Sequence, residues 1–292
     1  MNNDWKMING DCVEELMNMD ADSIDYSIFS PPFASLYVYS NSPNDMGNVA
    51  SDDEFYEHFA FLTHELFRVL KPGRNLSFHC MNLPLSKERD GVIGLKDFRG
   101  NLIRSFQDAG FVYHSEACIW KDPVTAMQRT KAIGLLYKQL KKDSCISRQG
   151  IADYLVTMRK PGDNPNPVAK DSEKYPVGLW QSWASPVWMD INPSDTLQYM
   201  SAREHNDERH ICPLQLGVIE RGIALWSNPG DLVLSPFAGI GSEGYQSIKQ
   251  GRRFVGIELK KSYYDQAVRN LDALRLQSAL FEEDKEVSWG AL

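Results

Sequence analysis

The chain has 292 residues, 42% of them hydrophobic and 24% charged, proportions that exclude disorder as its main state. It has no uninterrupted apolar run of the ~18 residues a helical membrane span needs, and residues 1–6 lack a charged-then-apolar leader, so the expected setting is the cytoplasm. The net charge of −8 argues against a polyanion partner only as an average over the chain.

Ile24 to Phe29 alternates and then runs apolar into Pro31, which predicts a buried strand ending in an abrupt turn. Asp52 and Asp53 are placed to cap a helix whose apolar face takes Phe55, Phe59, Leu62, Leu66 and Val69, with Lys71-Pro72-Gly73 ending it before a strand at Leu76 to Cys80. Asp97 to Ala109 predicts a further amphipathic helix stopped at Gly110, and Phe111 to Trp120 a strand. From 121 to 208 the alternation lapses into basic clusters, a proline-rich run from Pro161 to Pro167, and Trp180, Trp183 and Trp188. This is a candidate insertion. It resumes with a helix at Pro213 to Trp226, a strand at Leu232 to Leu234, a tight loop at Gly239-Ile240-Gly241, a helix at Ser242 to Lys249, a strand at Phe254 to Ile257 and a helix at Ser262 to Leu274. Such a βαβ unit predicts a parallel sheet covered on both faces. The tail with Glu282, Glu283, Asp284, Lys285 and Glu286 is expected to be solvated and frayed.

Charge divides along the same lines. Residues 1–60 hold twelve acidic residues against Lys6 alone, whereas 121–174 hold eleven basic residues against six acidic ones. The first segment repels a phosphate backbone, and the second is the candidate to meet one. The five cysteines, Cys12, Cys80, Cys118, Cys145 and Cys212, are odd in number and scattered, so they read as reduced thiols. The histidines show no metal-ligand spacing, read as mostly surface or packed residues, and no metal is expected.

Two segments carry the chemistry. In Ser235-Pro236-Phe237-Ala238-Gly239-Ile240-Gly241, between a predicted strand and a predicted helix, the glycines let the backbone turn sharply and approach a ligand. Glu258 ends the next strand, nineteen residues past Gly239, where a carboxylate in such units accepts hydrogen bonds from ribose hydroxyls. No basic residue lies in the loop to meet a pyrophosphate, so a nucleoside without a diphosphate bridge is the expected ligand. The second segment, Ser30-Pro31-Pro32-Phe33, ends the first predicted strand. Prolines lack an N–H and fix φ, so carbonyl oxygens are left unpaired and held in one direction beside a hydroxyl and an aromatic ring. Such a turn can hold a planar amine.

With these segments the sequence resembles the amino-methyltransferases of DNA, which transfer a methyl group from S-adenosylmethionine to an exocyclic amine of adenine or cytosine. The family's catalytic motif, [D/N/S]-P-P-[Y/F/W], is matched by Ser30, Pro31, Pro32 and Phe33; its cofactor motif, D-P-F-x-G-x-G, is matched by Ser235 to Gly241 except that Ser235 replaces Asp. Asn9-Gly10-Asp11-Cys12 resembles the family's G-D segment, whose Asp reaches the cofactor adenine, and His210-Ile211-Cys212-Pro213 through Gly230-Asp231 resembles the helix that closes over the methionine end. Catalytic motif first, insertion next and cofactor motif last is the permuted order of the family's beta class. The resemblance spans residues 1–120 and 209–275. It implies an α/β fold with a Rossmann-like methyltransferase sheet in circularly permuted order: a catalytic half at 1–120, a target-recognition insertion at 121–208, a cofactor-binding half at 209–275 and a charged tail at 276–292. It further implies S-adenosylmethionine held by Asp11, Ser235, Phe237, Gly239, Gly241 and Glu258, and double-stranded DNA as partner. Phosphate contacts are then expected from Lys138, Lys141, Lys142 and Arg148, and relatives in the class are often dimers within restriction-modification systems.

An aromatic amine is a poor nucleophile because its lone pair is delocalised. If the Ser30 hydroxyl and a Pro31 carbonyl accept its two N–H bonds, the nitrogen can pyramidalise and aim at the methyl group. Methylation at ring carbon 5 needs a Pro-Cys nucleophile; the Cys212-Pro213 order is the reverse and rules it out. Family members with Ser at the first motif position mostly resemble cytosine-N4 enzymes, and a hydroxyl able both to accept and to donate suits the cytosine edge, so cytosine N4 is slightly favoured over adenine N6. The competing readings are a non-catalytic DNA-binding module and a methyltransferase acting on a non-DNA amine.

Overall fold

A computed structural model describes residues 4–33, 51–124, 137–198 and 213–289 of the chain. An eight-stranded sheet forms its centre, in the spatial order β1 (Trp5–Asn9), β10 (Arg253–Glu258), β9 (Leu232–Ser235), β2 (Tyr26–Phe29), β3 (Asn75–Met81), β7 (Asp153–Arg159), β6 (Val112–Ile119) and β8 (Val187–Trp188). The first five run parallel, β7 lies antiparallel to both β3 and β6, and β8 closes the edge parallel to β6. β4 (Leu83–Leu85) and β5 (Gly94–Lys96) pair separately.

Every residue of β2 and β3 is buried, as strands covered on both faces must be. One face receives the helices Cys12–Met17, Asp52–Val69 and Phe98–Asp108, the other Leu216–Trp226, Ser242–Lys249 and Lys261–Trp289. Phe55, Phe59, Leu62, Leu66 and Val69 are all buried, as their spacing predicts. The cap of that helix differs from expectation: Ser51 Oγ, one residue earlier, accepts from Glu54 N at 3.2 Å.

One further difference lies in strand pairing and another in the length of the last helix. Residues 153–159, inside the segment assigned to the insertion, form an internal strand of the sheet, so the insertion is not separate from the catalytic half. Instead of fraying, the tail continues the last helix to Trp289.

The crossover from β9 to β10 leads one way along the sheet and that from β2 to β3 the other. Strand order therefore reverses between β9 and β2, which opens a crevice at their carboxyl ends. The opposite ends are clasped by buried Arg74, which pairs with Asp231 and donates to Asp25 O at 2.8 Å. Breaking such a buried pair from one side costs about 3–5 kcal/mol, so this clasp holds the amino ends of β2, β3 and β9 together.

Candidate active site

The crevice begins at the end of β10. Glu258 Oε2 accepts from Gly239 N at 2.8 Å and Oε1 from Lys260 N at 2.9 Å, which ties the glycine loop to the strand end. Gly239 has φ +52 and Gly241 φ +87, both in the left-handed region that favours glycine. A Cβ added at Gly239 would meet no atom within 4 Å, whereas one at Gly241 would press on Ala267 Cβ at 3.1 Å. Gly239 thus faces open space suited to a ligand, while Gly241 leaves room for the close approach of the Lys261–Trp289 helix.

Asp11 caps the Cys12–Met17 helix, its Oδ1 accepting from Val13 N at 2.9 Å and Glu14 N at 3.1 Å. Asn9 Nδ2 donates to Glu258 O at 2.8 Å, which holds the ends of β1 and β10 together beside it. Phe237 is half-buried, its ring centroid 5.8 Å from that of Phe29. Ser235 is fully buried and its Oγ has no hydrogen-bond partner among the described residues. In place of the family's Asp it leaves a neutral, spare donor beneath the loop. Glu243, in the first turn of the next helix, is also buried; burial, with a smaller contribution from Glu258, pushes its carboxyl up to about 8.

On the other side of the reversal, Ser30, Pro31, Pro32 and Phe33 leave the end of β2. The register Phe29↔Phe78, continued by one residue, brings Ser30 beside His79, and Ser30 Oγ lies 3.1 Å from His79 Nδ1. His79 Nε2 lies 3.0 Å from Asp153 Oδ2, which also pairs with Lys121. Burial opposes the Asp153 charge, but His79 and Lys121 outweigh it and hold the carboxyl below its ordinary range. Phe33 meets the His79 ring edge-on at 6.4 Å and packs against Phe98 at 6.1 Å. Neither His79 nor Asp153 has a role that its sequence pattern assigns. A polar residue in the apolar run Leu76 to Cys80 is the available signal, because a buried imidazole needs a partner.

Lys138 lies in a turn of helix, Tyr137–Leu140, and Lys138, Lys141 and Lys142 are all exposed, Lys141 with its ammonium 4.6 Å from the Tyr137 ring centroid. Arg148 is half-buried and donates to Gln149 O at 2.9 Å; burial lowers its pKa. Residues 210–212, at the start of the segment expected to close over the methionine end, lie outside the described residues, and the helix after them begins at Leu216. Among the described residues no group of three or more potential ligands could hold a metal ion, and no helix is long and apolar enough to cross a membrane.

A family model described as DNA methylase, for N6 and N4 methylation, matches residues 24–269. The DNA adenine methyltransferase YhdJ of Escherichia coli K12 is 27% identical over 287 residues, covering 94% of this chain and 84% of its own. The type II methyltransferase M.HindIII of Haemophilus influenzae is 20% identical, covering 95% of this chain and 98% of its own. Among solved structures, a protein of Thermus thermophilus in complex with S-adenosyl-L-methionine superposes with a TM-score of 0.69 at 21% identity, covering 92% of this chain and 93% of its own. The cytosine-N4-specific PvuII DNA methyltransferase superposes with a TM-score of 0.64 at 18% identity, covering 91% of this chain and 86% of its own. The chain shares their fold.

Proposed function

Because the chain belongs to the DNA methylase family of N6 and N4 methyltransferases, we propose that it transfers the methyl group of S-adenosylmethionine to the exocyclic amine of a base flipped out of double-stranded DNA. The observation that carries this reading is the meeting of the two motifs on neighbouring parallel strands, with Phe29 of β2 and Phe237 of the glycine loop in ring contact. An amine held at Ser30 then lies beside a ligand held at the loop, and holding two reactants together supplies much of the rate.

Asp11, Phe237, Gly239, Gly241 and Glu258 are the residues that would hold the cofactor. The open space over Gly239 and the Glu258 carboxylate beside it suit a nucleoside. When bound, the cofactor supplies an electrophilic methyl group. Ser30 Oγ and the Pro31 carbonyl accept the amine's N–H bonds, and Phe33 stacks on the flipped base for roughly 1–3 kcal/mol, partly offsetting its loss of stacking in the duplex. Lys138, Lys141, Lys142 and Arg148 meet phosphates, with residues 121–208 as the recognition region. The proposed compartment is the cytoplasm; dimerisation rests on the family resemblance alone.

Cytosine N4 is the target we carry forward, on the residue type at position 30. The contact of Ser30 with His79 weakens one argument for it, because a hydroxyl proton directed at His79 is not available to the cytosine ring. Adenine N6 is the second reading, favoured by the similarity to a named DNA adenine methyltransferase. Nucleoside mass spectrometry on DNA from cells expressing the wild type and Ser30→Ala decides between them. N4-methylcytosine that disappears in the variant is expected. N6-methyladenine that disappears would change the base and keep the mechanism, and an unchanged product in the variant would remove Ser30 from it.

A further inference from the structure

The hydroxyl of Ser30 is the weakest element of the proposed site, since it can donate as readily as it accepts. The other residues permitted at this motif position, Asp and Asn, present an oxygen that only accepts. In this chain the ambiguity is removed by what lies behind Ser30. Asp153, ionised and buried, faces His79 Nε2 at 3.0 Å. An ionised carboxylate only accepts, so the ring proton sits on Nε2, and in the neutral ring Nδ1 is left with its lone pair toward Ser30 Oγ at 3.1 Å. Ser30 then donates to His79, and both hydroxyl lone pairs are turned to the amine.

Resting on the methyltransferase reading above, we propose that His79 is a positioning and proton-relay residue for methyl transfer, oriented by Asp153 and acting through Ser30. The amine lone pair forms the new N–C bond as the sulfonium S–C bond breaks and leaves its electron pair on sulfur. The methylated nitrogen then loses one proton to Ser30 Oγ, keeping the N–H electron pair, while the hydroxyl proton passes to His79 Nδ1. The positive charge of the sulfonium ends on the imidazolium beside the Asp153 carboxylate, and the proton leaves to water after product release. The surrounding titratable groups are Asp153 on β7, Lys121 after β6, the buried Cys80 next along β3, and the Arg99–Glu116 pair beyond it at 2.7 Å. Lys121 pairs with Oδ2, the same Asp153 oxygen that faces His79 Nε2, and this keeps the carboxylate ionised and acting as acceptor only.

The test uses the full chain with a DNA substrate carrying the methylated context found for the wild type. If the wild type does not methylate DNA, the reading beneath the proposal fails; the remaining outcomes bear on the relay. His79→Gln is expected to lower the single-turnover rate by about 10²-fold or more, with dissociation constants for S-adenosylmethionine and DNA within twofold of wild type. A rate within threefold of wild type, or a lower rate accompanied by a comparable loss of affinity for S-adenosylmethionine or DNA, overturns the relay. If His79→Gln fails to fold, nitrogen-15 NMR of the wild type serves instead: the Nε2–H tautomer of His79 is expected, and an Nδ1–H tautomer overturns the proposal.

Discussion

Glu243 shows how one buried side chain can give the whole protein a pH dependence. It is 4% exposed, and burial pushes its carboxyl from an ordinary 4.5 up to about 8, so the folded state keeps a proton that the unfolded chain has already released. Between those values the folded state binds more protons, and the group's contribution to stability is full below 4.5, falls through the interval and levels off above 8. Replacing it with Gln removes the titration and keeps nearly the same shape. The stability gap in favour of Glu243→Gln, measured by urea unfolding, is therefore expected to widen as pH rises through that window. Parallel curves for the two proteins would show that Glu243 is ionised in the fold. His79 and Asp153 show a related effect of burial: the imidazole Nε2 and the carboxylate Oδ2 pair at 3.0 Å, and the remaining ring nitrogen is directed at Ser30.

At the level of elements, the glycine loop has its conformation because two strand ends hold it. Glu258, at the end of β10, accepts from Gly239 N and Lys260 N, so the acid that would bind ribose also orders the loop above it. A hydrogen bond to a charged group contributes roughly 1.5–3 kcal/mol, and 1.4 kcal/mol is about tenfold in affinity. Glu258→Ala is therefore expected to weaken S-adenosylmethionine binding by about tenfold to a hundredfold in calorimetry, and Glu258→Gln, which keeps one carbonyl oxygen, by less. Unchanged binding in the alanine variant would remove the ribose assignment. The helices show which signals are local. The apolar face of Asp52–Val69 was readable from residue spacing, while its cap moved to Ser51 because several adjacent polar residues can cap and only backbone geometry selects one.

Across the whole molecule, charge is separated in sequence: twelve acidic residues lie in 1–60, and the basic excess lies in 121–174. If that excess meets DNA phosphates, replacing Lys138, Lys141 and Lys142 with Ala should weaken binding to all sequences alike. It should also flatten the dependence of log affinity on log salt by roughly 0.9 for each phosphate no longer neutralised. A loss of sequence preference at unchanged affinity would instead place these lysines against base edges.

The helix at Ser242–Lys249 and the strands on either side of it were readable to within one residue, because periodicity, a glycine turn and a terminating polar residue are written in neighbouring positions. The same locality made the Ser30 to Phe33 turn and the Ser235 to Gly241 loop visible as candidates. Sheet order is different in kind. β7 reads DYLVTMR, a good strand by composition, yet it lies after a basic stretch and before a proline-rich run, and nothing near it says that it belongs between β3 and β6. Strand pairing joins residues far apart in the chain, so it depends on which apolar faces remain to be covered once the other strands are in place. That pairing set Asp153 behind His79, 74 residues away, and gave Ser30 a partner that no spacing along the chain could disclose.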